Sequence, residues 1–106
     1  SASESDRAEA LRTAVINARQ VQYQRNNTGA KPNAALTGRE LDDLAPLDDA
    51  SKELLRQAMT ELGLSARAYD KIRRVARTIA DLDDKAQVEL QHVAEAIQYR
   101  LLDRHV

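Results

Sequence analysis

Residues 65–81 read SARAYDKIRRVARTIAD, and this stretch decides the fold because its apolar side chains recur at helical spacing. Ser65 is a favourable N-cap residue, since its hydroxyl can accept a hydrogen bond from a first-turn N–H group. The apolar positions that follow are separated by three or four residues and share one side: Ala68, Tyr69, Ile72, Val75, Ala76 and Ile79. The stretch therefore predicts an amphipathic helix from Ser65 to about Asp81 that packs against other helices.

The composition of the whole chain favours an all-α domain. The 106 residues are enough for one domain with a single core, and they include no Phe or Trp, 3 Gly and 2 Pro. The absence of Cys excludes a disulfide scaffold and a thiolate metal site, and it fits a reducing compartment. No long apolar run occurs, so we expect no membrane span or membrane partner and a cytoplasmic location.

Helix signals elsewhere predict a bundle of about four to five helices. The expected elements are a long helix over about 6–25, a short one between Thr37 and Pro46, one capped by Asp48 or Asp49 and ended by Gly63, the Ser65 helix, and a last one over about 90–103. Glu89 is a poor cap for the last helix, because Ser or Thr is favoured there.

The stretch before the short helix predicts a division of the chain. Residues 26–35, NNTGAKPNAA, are polar, lack periodicity and contain Gly29 and Pro32, as flexible connections do. We therefore expect an N-terminal helix with its linker over 1–35, docked loosely, and a helical bundle over 36–106.

The helix at 65–81 is unusually basic. Residues 65–77 carry five Lys or Arg and one Asp, although the net charge of the chain is −1. At 100° per residue, Arg67, Lys71 and Arg74 form a stripe nearly opposite the core. Arg73 and Arg77 lie on a third flank, where helical spacing allows Asp70 to pair with Arg74 or Arg77.

Two interpretations of the basic stripe remain open. The stripe is either a solvated helix face or a site for phosphate, which would also accept hydrogen bonds from N–H groups around residues 66–68. Arginines near a helix N-terminus oppose the macrodipole, and an anionic partner would offset that cost. The chain lacks a Walker A loop, so we expect this chain alone neither to hold nor to hydrolyse a nucleotide.

Other charged and aromatic residues favour structural roles. His92 with Glu95 and Glu89 provides one His at H-x-x-E spacing, too few ligands for a metal bundle, so we expect no metal site. The aspartates at 81, 83 and 84 are interpreted as a solvated turn rather than a calcium site, because the glycine and terminal glutamate of an EF-hand loop are missing. Tyr69 and Tyr99 are interpreted as core edges rather than base-stacking platforms. For Arg19 and Arg25 we expect ordinary surface positions, with a contact to a neighbouring subunit as the alternative.

Two longer segments carry a family resemblance. GLSARAYDKIRRVARTIADL at 63–82 and VELQHVAEAIQYR at 88–100 resemble the C-terminal helical domain of magnesium-chelatase-like AAA+ ATPases of the ComM/YifB group, and the likeness extends over about 5–104. The resemblance implies a lid domain, in which Arg67 is the sensor-2 arginine that reaches the γ-phosphate of ATP and Arg74 supports it. It implies ATP and Mg²⁺ in the full-length protein and none bound by this chain alone.

The resemblance also implies partners. They are an AAA+ core domain of the same polypeptide, neighbouring subunits of a six-membered ring and, for this group, DNA that the parent motor remodels; magnesium chelation is the alternative activity.

Two alternatives do not depend on the resemblance. One is an autonomous DNA-binding module that places Arg67, Lys71, Arg73, Arg74 and Arg77 on phosphates, which the near-neutral total charge disfavours. The other is a helical scaffold without a ligand.

Overall fold

The computed structural model describes residues 4–26 and 32–104 and confirms the all-α class. Its elements are α1 (Glu4–Asn26), a 3₁₀ helix (Asn33–Ala35), α2 (Gly38–Leu44), α3 (Asp49–Leu62), α4 (Ala66–Leu82) and α5 (Leu90–Arg104). No strand occurs in the two described ranges. No helix in them is long and apolar enough to cross a membrane.

Local sequence signals set the starts of α2 and α3 as predicted. Glu40 N donates to Thr37 Oγ1 at 3.2 Å, and Thr37 N donates to Glu40 Oε1 at 2.9 Å, which completes a capping box. Asp48, rather than Asp49, caps α3 by accepting from Ser51 N at 2.7 Å. The hydrogen bond from Ser51 lowers the pKa of the Asp48 carboxyl.

Gly63 and Ser65 turn the chain from α3 into α4. Gly63 has φ +62°, the left-handed conformation that ends many helices, and Leu64 N closes the turn on Met59 O at 3.1 Å. Ser65 then caps α4 by accepting from Ala68 N at 3.2 Å. Both residues act as the sequence predicts.

The start of α5 uses a side chain that the sequence analysis did not consider as a cap. Glu89 N donates to His92 Nδ1 at 2.9 Å, so His92 performs the reciprocal half of a capping box. Because Nδ1 accepts this bond, the ring proton lies on Nε2, which donates to Asp83 Oδ2 at 3.0 Å. His92 is buried, and its predicted structural role is confirmed.

The core lies around α4, as the periodicity predicts. Helix α4 contacts α1, α2, α5 and the 3₁₀ helix, and α3 packs on α5. The buried apolar side chains of this core are Leu36, Leu41, Ala45, Leu55, Ala58, Ile72, Ala76, Ala80, Val88, Val93, Ala96 and Ile97. Each fully buried Leu, Ile or Val contributes about 1.5–3 kcal/mol. Because α1, α2, α5 and the 3₁₀ helix all pack on α4, this helix is the central element of the core.

A buried carboxylate fastens α1 to the bundle. The Asp81 side chain is 0% exposed. It accepts from both terminal nitrogens of Arg25, each at 2.8 Å, and from Asn33 Nδ2 at 2.8 Å. Arg77 Nε donates at 3.1 Å to Asp81 Oδ1, the oxygen that also accepts from Arg25 Nη1. The expectation of a solvated turn is therefore wrong for Asp81, and the expected surface placement of Arg25 is wrong as well, because each buries the other's charge.

The ends of the predicted linker are ordered. Asn33 is buried and donates to Thr78 Oγ1 at 3.2 Å, while Asn26 Nδ2 donates to Asn33 Oδ1 at 3.3 Å. Residues 27–31 lie outside the described residues. The division into 1–35 and 36–106 stays a prediction, but α1 is joined to α4 by a specific polar network.

We predict that Asp81→Asn destabilises the chain by about 3–5 kcal/mol, because it removes the charge that compensates two nearly buried guanidinium groups. Urea denaturation followed by circular dichroism measures this loss. Asp84→Asn is the control, since Asp84 is exposed at φ +56° and Asn tolerates that conformation. Equal stability of the two variants would show that the network contributes nothing.

We also predict that Gly63→Ala costs about 1–2 kcal/mol of unfolding free energy through backbone strain alone. A Cβ atom at this position meets nothing within 4 Å, so no steric clash contributes. Gly63→Asn should lose less, because Asn adopts positive φ more readily. Thermal denaturation of the three proteins gives the order, and an Ala variant as stable as the wild type contradicts it.

Candidate phosphate-binding face of α4

Arg67 stands at the open end of α4. It is the second residue of the helix, its side chain is exposed, and it forms no hydrogen bond or ion pair with any described residue. The Ser65 hydroxyl accepts only the N–H group of Ala68, so the other N–H groups of the first turn have no helical partner. The guanidinium and these N–H groups together favour an anion at this end of the helix.

Lys71 and Arg74 follow on the same face but differ in environment. Lys71 is exposed. Arg74 is half-buried, and its Nε donates to Leu36 O at 2.6 Å. That bond fixes the Arg74 side chain without neutralising it, because a carbonyl carries no net charge and Arg74 pairs with no carboxylate among the described residues. The sequence placed Arg74 on an open stripe, whereas the segment that enters α2 partly covers it.

Arg73 lies inside the fold rather than on an exposed flank. It is 7% exposed, pairs with Asp42 of α2 and with Asp70 Oδ1 at 3.4 Å, and lies over the Tyr69 ring at 5.3 Å from the centroid. The predicted pairing of Asp70 with Arg74 or Arg77 is therefore wrong. The helical angle correctly places Arg73 on the third flank of α4. However, α2 covers that flank and supplies Asp42 as the partner of Arg73.

Arg77 is likewise a structural residue. It is 1% exposed, and its terminal nitrogens donate to Ala86 O at 3.0 Å and Lys85 O at 2.8 Å, beyond its bond to Asp81. Burial lowers the pKa of the Arg77 guanidinium, while the Asp81 carboxylate opposes that shift. The guanidinium stays charged at neutral pH because the pKa of arginine lies so far above it. Neither Arg73 nor Arg77 is placed to meet an external phosphate.

The remaining sequence candidates separate into buried and exposed groups. Tyr69 packs at the edge of the core as predicted, but Tyr99 is 64% exposed, so its predicted place at a core edge is wrong. Arg19 is exposed as expected. Across the residues that the structure describes, no three His, Cys, Asp or Glu side chains come together as a metal-binding group.

The face that results can bind an anion but supplies little chemistry of its own. Arginine offers a planar, permanently charged fork that matches phosphate, while it is not a general base. Arg67 and Lys71 lie on this face as helical spacing predicts, whereas Arg73, Arg77 and Asp81 are buried, which their spacing on the helix does not predict. The i,i+4 spacing of Arg77 and Asp81 was the one local signal for their pairing.

Comparisons with known proteins identify a family and several relatives that this chain resembles. Residues 5–100 match the model of the family described as magnesium chelatase, subunit ChlI C-terminal. The chain is 38% identical over 103 residues to the uncharacterized protein YifB of Salmonella typhimurium and 39% identical over 94 residues to the competence protein ComM of Haemophilus influenzae. It is also 39% identical over 90 residues to the YifB protein of Escherichia coli.

These alignments cover most of this chain and a small part of each relative. They include 97%, 89% and 85% of this chain, in the order given, but 20%, 18% and 17% of the relatives. The chain thus spans about a fifth of the length of the relatives it matches. No solved structure is significantly similar to it. The match over residues 5–100, in a helical fold with the basic face of α4 exposed, shows that the chain belongs to the magnesium chelatase subunit ChlI C-terminal family.

Proposed function

We propose that this chain is the lid domain of a longer magnesium-chelatase-like AAA+ ATPase and that Arg67 is its sensor-2 arginine. In this role Arg67 binds the γ-phosphate of ATP that the core domain of the same polypeptide holds with Mg²⁺. The observation that carries the proposal is the exposed, unpaired guanidinium of Arg67 at the N-terminus of α4 in a member of this family. Arg73 and Arg77 on the same helix pair with Asp42 and Asp81, whereas Arg67 pairs with no carboxylate among the described residues.

A single arginine is sufficient to link the lid to the state of the nucleotide. A charge-assisted hydrogen bond contributes about 1.5–3 kcal/mol, and this one weakens when the γ-phosphate leaves. The lid then has a different free energy in the ATP and ADP states, which is the condition for a ligand to shift a conformational equilibrium. Because α4 is also the centre of the core, a force on Arg67 acts on the whole domain.

Arg74 supports this site in our proposal through its charge and position. Its Nε is held by the Leu36 carbonyl, so the guanidinium keeps one orientation and loses little further entropy when an anion approaches. It stands two turns, or roughly 10 Å, from Arg67 along the helix, too far for both to hold one phosphate oxygen. We therefore assign direct contact to Arg67 and electrostatic support to Arg74.

The activity and assembly of the parent protein follow as further parts of the proposal. We infer a ring of six subunits in which this domain contacts its own core domain and a neighbour, while this chain alone binds no ATP and hydrolyses none. The relative named as a competence protein and the resemblance to the ComM/YifB group support a motor that remodels DNA. The family description supports magnesium chelation as the alternative.

An autonomous DNA-binding module has less support. Of the five cations that this alternative would place on phosphates, Arg73 and Arg77 are buried and paired with carboxylates. The remaining Arg67, Lys71 and Arg74 form a short stripe on a chain of net charge −1. Non-specific DNA affinity scales with the number of phosphates neutralised, so three cations predict weak binding.

We predict that Arg67→Ala in the full-length protein lowers ATP turnover by a factor on the order of 10 to 100, the equivalent of losing one charge-assisted hydrogen bond. The stability of the domain should stay unchanged, because Arg67 is exposed and forms no hydrogen bond or ion pair with any described residue. Steady-state phosphate release measures turnover, and circular dichroism checks folding.

The matched control for this experiment is Arg56→Ala. Arg56 is also an exposed arginine on a helix, and its pKa is raised by the bonds it makes to Glu53 on the same helix. Its loss should leave ATP turnover within about twofold of wild type, because surface ion pairs contribute little. Wild-type turnover in Arg67→Ala, or an equal loss in both variants, would refute the sensor-2 assignment.

A further inference from the structure

The basic face of α4 has one acidic residue within reach of its cations. Asp70 is the only acid between residues 66 and 80 of this helix. Arg67 precedes it by three positions and Arg74 follows it by four, and side chains at these spacings are neighbours on a helix surface. An acid that precedes a base by four residues also has the favoured orientation for an ion pair. On an isolated helix, Asp70 would therefore neutralise part of this face.

In the part of the chain that the structure describes, Asp70 forms neither of these pairs. It pairs instead with Arg73, whose Nη1 lies 3.4 Å from Asp70 Oδ1. Arg73 is 7% exposed and lies on the flank that α2 covers, so this pair directs the carboxylate away from Arg67 and Arg74. A distance of 3.4 Å makes a weak hydrogen bond, so a further contact must help to hold the carboxylate in place.

Gly38 supplies that contact from the first turn of α2. A Cβ atom added to Gly38 would lie 3.1 Å from Asp70 Oδ2 and 3.3 Å from Asp70 Oδ1. The Asp70 carboxylate thus occupies space that any other side chain at position 38 would need. Among the described glycines only Gly63 has a positive φ, so position 38 depends on the missing side chain and not on an unusual backbone conformation.

The place of Gly38 against α4 is fixed by the residues around it. The capping box of Thr37 sets where α2 begins, and Asp42 of the same helix pairs with the buried Arg73. Helix α2 packs on α4 as a result. The space between Gly38 and Arg73, hereafter the notch, is therefore a defined feature of the fold.

We propose that the notch holds the Asp70 carboxylate away from Arg67 and Arg74 and so keeps both arginines available to an anion. Asp70 and Gly38 are positioning residues, because neither one touches the phosphate. The inference rests on the proposed nucleotide role of this face and adds the reason that the face stays positive although an acid lies within reach. A tertiary contact here overrides the ion pair that local helical spacing favours.

Lengthening the acid tests the notch in the full-length protein. Asp70→Glu adds a methylene group, and because the carboxylate already lies against Gly38, the longer side chain should leave the notch and pair with Arg67 or Arg74. Steady-state phosphate release should then fall about two- to fivefold, because a surface carboxylate competes with ATP for the guanidinium. Asp70→Gln has the same length without the charge and should stay within about 1.5-fold of wild type. Equal turnover in the two variants overturns the proposal.

Filling the notch from the other side gives an independent test. Gly38→Val places a side chain where the Asp70 carboxylate lies, so turnover should fall in the same range of about two- to fivefold. Adding Asp70→Asn should restore it to within about 1.5-fold of wild type, because Asn has the shape of Asp but no charge. Adding Asp84→Asn, which removes an exposed acid beyond the end of α4, should restore nothing. A double Gly38 and Asp70 variant as slow as Gly38→Val contradicts a role for the charge.

Failure of the notch can be distinguished from failure of the nucleotide role. If Arg67→Ala slows turnover while Asp70→Glu and Asp70→Gln agree, only the notch proposal is wrong. If Arg67→Ala turns over like the wild type, the sensor-2 assignment fails, and a crystal structure of the purified Asp70→Glu chain decides on the notch. Its longer carboxylate should lie within about 4 Å of the guanidinium of Arg67 or Arg74. A carboxylate that still lies against Gly38 overturns the proposal.

Discussion

The arrangement of this domain depends on the buried carboxylate of Asp81. A charged group with no exposed surface is stable only when other groups replace the water it has lost. Arg25, Asn33 and Arg77 do so, and they come from α1, the 3₁₀ helix and α4 itself. One side chain thereby connects α1, the 3₁₀ helix and α4 through direct hydrogen bonds. The directions of these hydrogen bonds also set the position of α1 on the bundle. Apolar packing through Ala18 alone would define that position less precisely.

This use of charge inside the fold changes the interpretation of the basic helix. Five cations between residues 65 and 77 suggest a strongly positive surface, but the charges of Arg73 and Arg77 are compensated by carboxylates within the chain. What remains outside is a narrower face with Arg67 at the helix end. A narrow face suits a single phosphate group better than a nucleic acid backbone, which needs many neutralised phosphates to bind tightly. The internal ion pairs therefore favour the proposed contact with a nucleotide over the alternative of an autonomous DNA-binding module.

The same helix serves two purposes, which explains its composition. One side of α4 carries small and branched apolar residues such as Ile72, Ala76 and Ala80 that pack against α5 and the other helices. The opposite side carries Arg67 and Lys71 in solvent. A rigid, central helix positions an exposed arginine more accurately than a loop does, because its rotation is fixed by the core. The basic face and the packing face are thus consequences of one periodic pattern.

The sequence by itself determined the class of fold, the boundaries of α2 to α5, and three of the caps, because these depend on residues within one or two turns of each other. The capping box of Thr37 and Glu40, the left-handed Gly63 and the apolar side of α4 all follow from such local spacing. The exposure of Arg67 followed for the same reason. Only the tertiary structure decided which charged residues are buried, because the partners that bury them are distant in sequence. Arg25 and Asp81 are 56 residues apart, Asn33 and Asp81 are 48 apart, and Arg73 and Asp42 are 31 apart. Helical periodicity relates residues a few positions apart and contains no information on such pairs, so an aspartate at the end of a helix looks solvated until the elements around it are placed.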